Sequence, residues 1–190
     1  MCCWKPPLPL IWVILAPAAK SAQRVVDPAS HRIYLAGEMP RPEGGHNYRS
    51  MIGVINEDAP SLAAYLVPNT DDCNEFIGIA LDTAGNRLIV GERWQGNGTP
   101  LKNSLWPNGG GLWSIPLATI DQTNTYTRIY QDFLNQSWDK MTVFNGRLFA
   151  TVYNGGTEAL ISADLADVPA AAQMSRTPGG WRSPAAFFPC

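Results

Sequence analysis

The sequence predicts an all-β protein of about three antiparallel propeller-like blades, fewer than a closed propeller holds. Three observations predict it: a strand-like segment that recurs three times, turn-forming residues at each recurrence, and a composition rich in strand formers and chain punctuation. The recurring segment is an arginine followed by alternating large residues: Arg32-Ile33-Tyr34-Leu35-Ala36, Arg87-Leu88-Ile89-Val90-Gly91 and Arg147-Leu148-Phe149-Ala150-Thr151, spaced 55 and 60 residues apart. Period-two alternation is the pattern of a strand with distinct faces.

Each arginine follows another apolar run closed by a polar turn, namely Arg24 to Asp27, Ile77 to Asp82 and Met141 to Asn145. The turns Asp27-Pro28, Ala84-Gly85-Asn86 and Asn145-Gly146 carry residues that tolerate tight backbone reversal, and Asn-Gly favours a type I′ hairpin. A third strand follows at Ile52 to Ile55, Gly111 to Leu117 and Ala159 to Leu165. A fourth is expected at Ala63 to Val67 and Tyr126 to Tyr130, whereas after Leu165 the chain becomes Ala- and Pro-rich, so the third unit reads as incomplete. Short antiparallel strands repeating at this period predict a radial array of blades, with a meander or sandwich as the alternative.

Composition agrees. The 190 residues include 17 glycines, 16 prolines and seven tryptophans, more turn formers than a helical protein tolerates. Net charge is −2 with scattered Lys and Arg, which excludes a nucleic-acid-binding stripe. The acidic run Asp71-Asp72-Cys73-Asn74-Glu75 reads as a solvated turn rather than a metal site.

Residues 1–22 read as a signal peptide: Lys5, an apolar stretch from Pro6 to Leu15, then the small residues Ala16-Pro17-Ala18-Ala19, with cleavage near Ala18 or Ala22. The stretch falls short of the roughly 20 residues of a membrane span. The expected location is secreted or periplasmic, with blade repeats over 23–168 and an Ala/Pro-rich tail over 169–190. Removal of the leader takes Cys2 and Cys3 with it and leaves Cys73 and Cys190, either bridged or free.

The run Leu81-Asp82-Thr83-Ala84-Gly85-Asn86-Arg87-Leu88-Ile89-Val90, followed by Gly111-Leu112-Trp113-Ser114-Ile115, resembles blades of six-bladed propellers of the NHL-repeat and gluconolactonase type. The resemblance covers roughly Arg24 to Leu165 and implies fold only. It further implies that connections from second to third strands gather on one face. Two of these are long, Glu38 to Ser50 and Arg93 to Gly110, and long loops on a rigid scaffold are where binding residues concentrate.

The second of these loops carries Trp94, Asn97, Asn103, Trp106 and Asn108. An indole stacks on the apolar face of a pyranose while amides bond its hydroxyls, so this mixture suits a glycan. His46 in the first loop and Tyr153 at the short third one complete the expected ligand-binding set. Glu38 and Glu92 are expected to hold equivalent places at the ends of two second strands, an arrangement that either is solvated or holds a divalent cation. No G-x-S-x-G, phosphate-binding glycine motif or H-E-x-x-H is present.

The sequence thus leans toward a binding module rather than an enzyme, without a cofactor, its partner a glycan or a protein. The competing reading is a metal-dependent hydrolase or lactonase, using Ca²⁺ or another divalent cation on Glu38 and Glu92, with His46 or Asp139 as base. A third is a non-catalytic piece of a larger propeller. Three blades also leave apolar faces, around Ile33, Leu35 and Val54 at one end and Leu148, Leu160 and Ile161 at the other, so a homo-oligomer that closes the ring is expected.

Overall fold

A computed structural model describes residues 20–40, 48–58, 61–66, 74–94, 111–131, 137–154 and 157–168. These residues form three antiparallel sheets and, among the described residues, no α-helix. The first sheet is β1 (Lys20–Asp27), β2 (Arg32–Pro40), β3 (Tyr48–Asn56) and β4 (Leu62–Leu66), paired in chain order. The second is β5 (Asn74–Asp82), β6 (Arg87–Trp94), β7 (Gly111–Pro116) and β8 (Thr127–Gln131), and the third is β9 (Ser137–Phe144), β10 (Arg147–Asn154) and β11 (Thr157–Asp164). Each of the three arginines opens a second strand. The all-β class and the three sheets match the sequence expectation, and the arrangement is compatible with an incomplete propeller. Because β1 starts at Lys20, a leader cut after Ala18 leaves the strand whole, whereas a cut after Ala22 removes its first three residues.

The hairpin ends of the sheets repeat one device. The residue before each arginine is left-handed, with φ of 54° at His31, 51° at Asn86 and 72° at Gly146. Its carbonyl accepts the N–H of the residue just past the third strand: Glu57 (2.8 Å), Leu117 (3.0 Å) and Leu165 (2.9 Å). The first turn therefore satisfies the backbone at the end of the third strand in every unit. Around the second turn Asp82 accepts from Gly85 N (2.9 Å) and Arg87 Nε (2.8 Å). Arg87 also donates to the carbonyl of Val168 (3.0 Å), tying the hairpin end of the second sheet to the third unit. The two-residue turn Asn145-Gly146 has no such aspartate, and Arg147 reaches instead to Asp164 (2.6 Å) and Ser162 (3.1 Å) on β11. Both of its residues have positive φ, as a type I′ turn requires.

The first strands share a second device, a shift of register opposite the middle of the second strand, between Ser21 and Gln23, between Phe76 and Gly78, and opposite Ala150 to Val152. Such bulges bend a strand and leave backbone groups outside the ladder. The Gln23 side chain uses them to join all three sheets: its Oε1 accepts from Ile79 N (3.0 Å) and Met141 N (3.1 Å), and its Nε2 donates to Met141 O (2.8 Å).

The second sheet lies between the other two. Leu88, Val90, Trp113 and Ile115 face Tyr34, Ala36, Ile52 and Val54 of the first sheet. On the opposite face Ile89, Leu112 and Ile129 pack on Trp138, Met141, Leu148 and Val152 of the third. In this second layer a Cβ added at Gly78 would lie 2.0 Å from the Asp139 carbonyl oxygen, and one at Gly91 2.3 Å from that of Trp138. Only glycine admits β9 that closely.

The expected open faces need correction. Val54 pairs with Tyr34 and so shares the inward face, while Leu148 and Ile161 pack toward the second sheet. Leu35 is buried. A one-residue change in alternation decides which face a side chain takes, and of the six residues only Leu160, at 65% exposure, is a large exposed one; Phe144 at 65% joins it.

Candidate functional site

Three buried carboxylates, Glu38, Glu75 and Glu92, lie at the sheet ends opposite the hairpins, whereas the buried Asp27, Asp82 and Arg87 lie at the hairpin end. Glu92 sits near the end of β6 on the face it shares with Val90 and is fully buried. Its Oε2 accepts from Trp113 Nε1 (3.1 Å) and Arg128 Nη2 (2.5 Å). The Arg128 guanidinium lies 5.0 Å from the centre of the Trp113 ring, and Phe76 meets that ring edge-on at 5.6 Å. Carboxylate, guanidinium and two aromatic rings thus form one unit from β5, β6, β7 and β8. A buried charge persists only when it is paired and hydrogen-bonded, so Glu92 serves first as an anchor. A cation placed on its Oε2 would have to displace Arg128.

Glu38, also buried, shares the inward face of β2 with Tyr34 and Ala36 and stands opposite the buried Ser50 on β3. The expectation that Glu38 and Glu92 occupy equivalent places does not survive the register. Counted from the repeat arginines and past the bulges, Glu92 corresponds to Gly37, and Glu38 to Arg93. That offset of one residue turns the two carboxylates onto opposite faces of the repeat. The faces of adjacent sheets that meet are themselves opposite faces of the repeat. Both carboxylates therefore turn into the same layer, between the first and second sheets.

Glu75, expected in a solvated acidic turn, is instead a buried residue of β5 whose Oε2 accepts from Arg93 Nη2 at 2.6 Å. Asp71, Asp72 and Cys73 lie outside the described residues. Among the described residues no group of three or more His, Cys, Asp or Glu side chains could hold a metal ion.

Of the expected binding residues, Trp94 ends β6 opposite Asn74, and Tyr153 lies on β10 opposite Ser137. His46, Asn97, Asn103, Trp106 and Asn108 lie outside the described residues. Asp139 falls at the β9 bulge. Sequence reading missed Arg128 and Gln23. Arg128 stands 36 residues from Glu92 on an outer strand, and no local spacing links them. Trp138 was missed as well: it meets Tyr130 edge-on at 5.4 Å, and its buried Nε1 has no hydrogen-bond partner among the described residues. Away from this end, burial pushes the Tyr126 hydroxyl well above its ordinary pKa, and that hydroxyl donates to the Ile120 carbonyl at 2.5 Å.

Fold and site together define an all-β protein of three antiparallel sheets with a buried ionic unit near the end of the second. Compared with known proteins, the chain matches no family model, no curated protein and no solved structure. Among the described residues no helix is long and apolar enough to cross a membrane.

Proposed function

We propose that the chain is an exported binding module that presents the connections at the Glu38 and Glu92 ends of its first two sheets to a glycan or a protein partner. One observation carries the reading: residues 41–47 and 95–110 connect second to third strands directly beyond the two buried carboxylates. Paired Glu92, Arg128 and Trp113 fix the base from which residues 95–110 depart, as a binding loop requires of its scaffold. The Trp and Asn content of that segment favours a glycan, since indoles stack on sugar rings and amides read hydroxyls. A glycan array and a pull-down from extracellular material test it. Binding to one ligand class, weakened at least about tenfold in Trp94→Ala/Trp106→Ala, is expected, since losing two stacked rings exceeds about 1.4 kcal/mol. Ligand binding that both substitutions leave unchanged would sink the reading.

One observation favours a metal-dependent hydrolase or lactonase, namely that Glu38 and Glu92 turn into one layer. Its measurement is the melting temperature with and without millimolar Ca²⁺, Mn²⁺ or Zn²⁺, because a ligand of the folded state alone raises Tm. Unchanged melting dismisses it. On the same reading, two copies would together supply about six blades, within the closure range of roughly four to eight, with Phe144 and Leu160 against a neighbour. Light scattering that shows a stable monomer at micromolar concentration overturns that assembly.

A further inference from the structure

The third sheet differs from the others in one respect. Among the described residues β11 is its edge, whereas β3 and β7, in the same place of the repeat, each pair with a fourth strand. The segment after β11 nevertheless repeats the segment after β7. Trp113-Ser114-Ile115-Pro116-Leu117-Ala118-Thr119-Ile120 aligns with Ile161-Ser162-Ala163-Asp164-Leu165-Ala166-Asp167-Val168, identical at Ser, Leu and Ala and matched in type at Ile and Val. Structure agrees with the alignment. A 3-10 turn forms at Leu117–Thr119 and at Leu165–Asp167, Leu117 and Leu165 donate to equivalent turn carbonyls, and Ile120 and Val168 are both buried.

The correspondence runs on past the described residues. In the second unit Thr127-Arg128, which pair with Ser114 and Trp113, stand ten and eleven positions after Leu117; at the same distance from Leu165 the sequence reads Ser175-Arg176.

We propose that the free edge of β11 is a strand-accepting surface whose occupant is the chain's own segment around Met174 to Thr177. It adds antiparallel as β8 adds to β7, with Ser175 opposite Ser162 and Arg176 opposite Ile161. Pro178 fits the end of such a strand, since an outermost strand can place a missing N–H toward solvent. Two faults of an open edge are removed together. The unpaired backbone groups of β11 gain partners, and the edge ceases to be a template for a second molecule. The inference is independent of the proposed ligand.

Hydrogen exchange on the full chain tests it. The alternate β11 amides that point away from β10 are expected to exchange at least about tenfold more slowly than an unprotected peptide, at a rate independent of protein concentration. Ser175→Pro removes a ladder donor and should abolish that protection while β5 to β8 remain protected; Ser175→Ala should retain it. Outward β11 amides that exchange at the unprotected rate in the unmodified chain would overturn the proposal. So would protection that survives Ser175→Pro, or protection lost on dilution, which would assign the edge to a second copy.

Discussion

The two ends of the sheets obey different rules. At the hairpin end all three units do the same thing: a left-handed residue before the arginine, its carbonyl bonded to the N–H past the third strand. At the opposite end no two units agree. The first sheet carries Glu38 and Ser50, the second Glu92 with Arg128 and Trp113, and the third Ser137 and Trp138. Repetition at one end holds the architecture, whereas the other end, from which connections of unequal length depart, carries different side chains in each unit. Scaffolds divided in this way let loops vary while the sheets stay fixed.

The sharpest way to break the comparison is at the loop end. Glu92→Ala leaves Arg128 buried beside Trp113 without its carboxylate, and the expected loss in urea unfolding is about 3–5 kcal/mol. A loss below about 1 kcal/mol would mean that the ionic unit is solvated and anchors nothing. Next comes the layer that joins the second and third sheets. Gly91→Ala drives a Cβ to 2.3 Å from the Trp138 carbonyl oxygen, a backbone atom that cannot swing aside. A destabilisation of about 2–3 kcal/mol is expected by chemical denaturation; a neutral substitution would show that β9 does not approach so closely.

The hairpin end predicts smaller effects with a definite order. Asn86→Ala forces a Cβ-bearing residue without a polar side chain into φ of 51°, at a cost of about 1 kcal/mol, while Asn86→Gly should be near neutral. Thermal melts in which alanine equals glycine would remove the left-handed turn from the account. The smallest effect is electrostatic. The Ser30 hydroxyl, aided by the Ala29 and Ser30 amides and the Arg32 charge, holds the Asp27 carboxyl below its ordinary 3.8 against the opposing effect of burial. A depressed folded-state pKa contributes stability that is present above the unfolded value and lost as pH falls through the folded one. Asp27→Asn should therefore be less stable than the parent at pH 7, and the difference should shrink below pH about 3.8. A difference that grows on acidification would reverse the assignment.

Much of the fold was legible because its signals are local. Alternation after Arg32, Arg87 and Arg147 placed three second strands, and Asn145-Gly146 marked its hairpin. The fourth strand expected at Ala63 to Val67 is Leu62–Leu66, one residue off, whereas the first strands begin three or four residues earlier than expected, at Lys20, Asn74 and Ser137 rather than Arg24, Ile77 and Met141. What was illegible depends on register and distance. A bulge has no fixed sequence signature, so the bridge from Gln23 to Met141 could not be counted from spacing, whereas the one-residue offset between Glu38 and Glu92 is countable from Arg32 and Arg87 and was overlooked. Alternation alone also misassigned Val54, because it gives two faces without saying which one meets the next sheet. Of the candidate site, Trp94 and Glu92 were found at the strand end where the second long connection departs, but the partner that holds Glu92 in place stands on β8 and became visible only in three dimensions.

On the proposed function, the two ends divide architecture from recognition. The most direct measurement of this division is the affinity for the best-bound glycan of an array, taken in parallel for the parent chain, Trp94→Ala/Trp106→Ala at the loop end, and His31→Gly at the hairpin end. Glycine keeps the left-handed turn, so this last variant alters the hairpin surface alone. The account predicts at least about a tenfold loss for the loop-end variant and parent affinity for His31→Gly. Parent affinity in the loop-end variant together with loss at the hairpin end would contradict it.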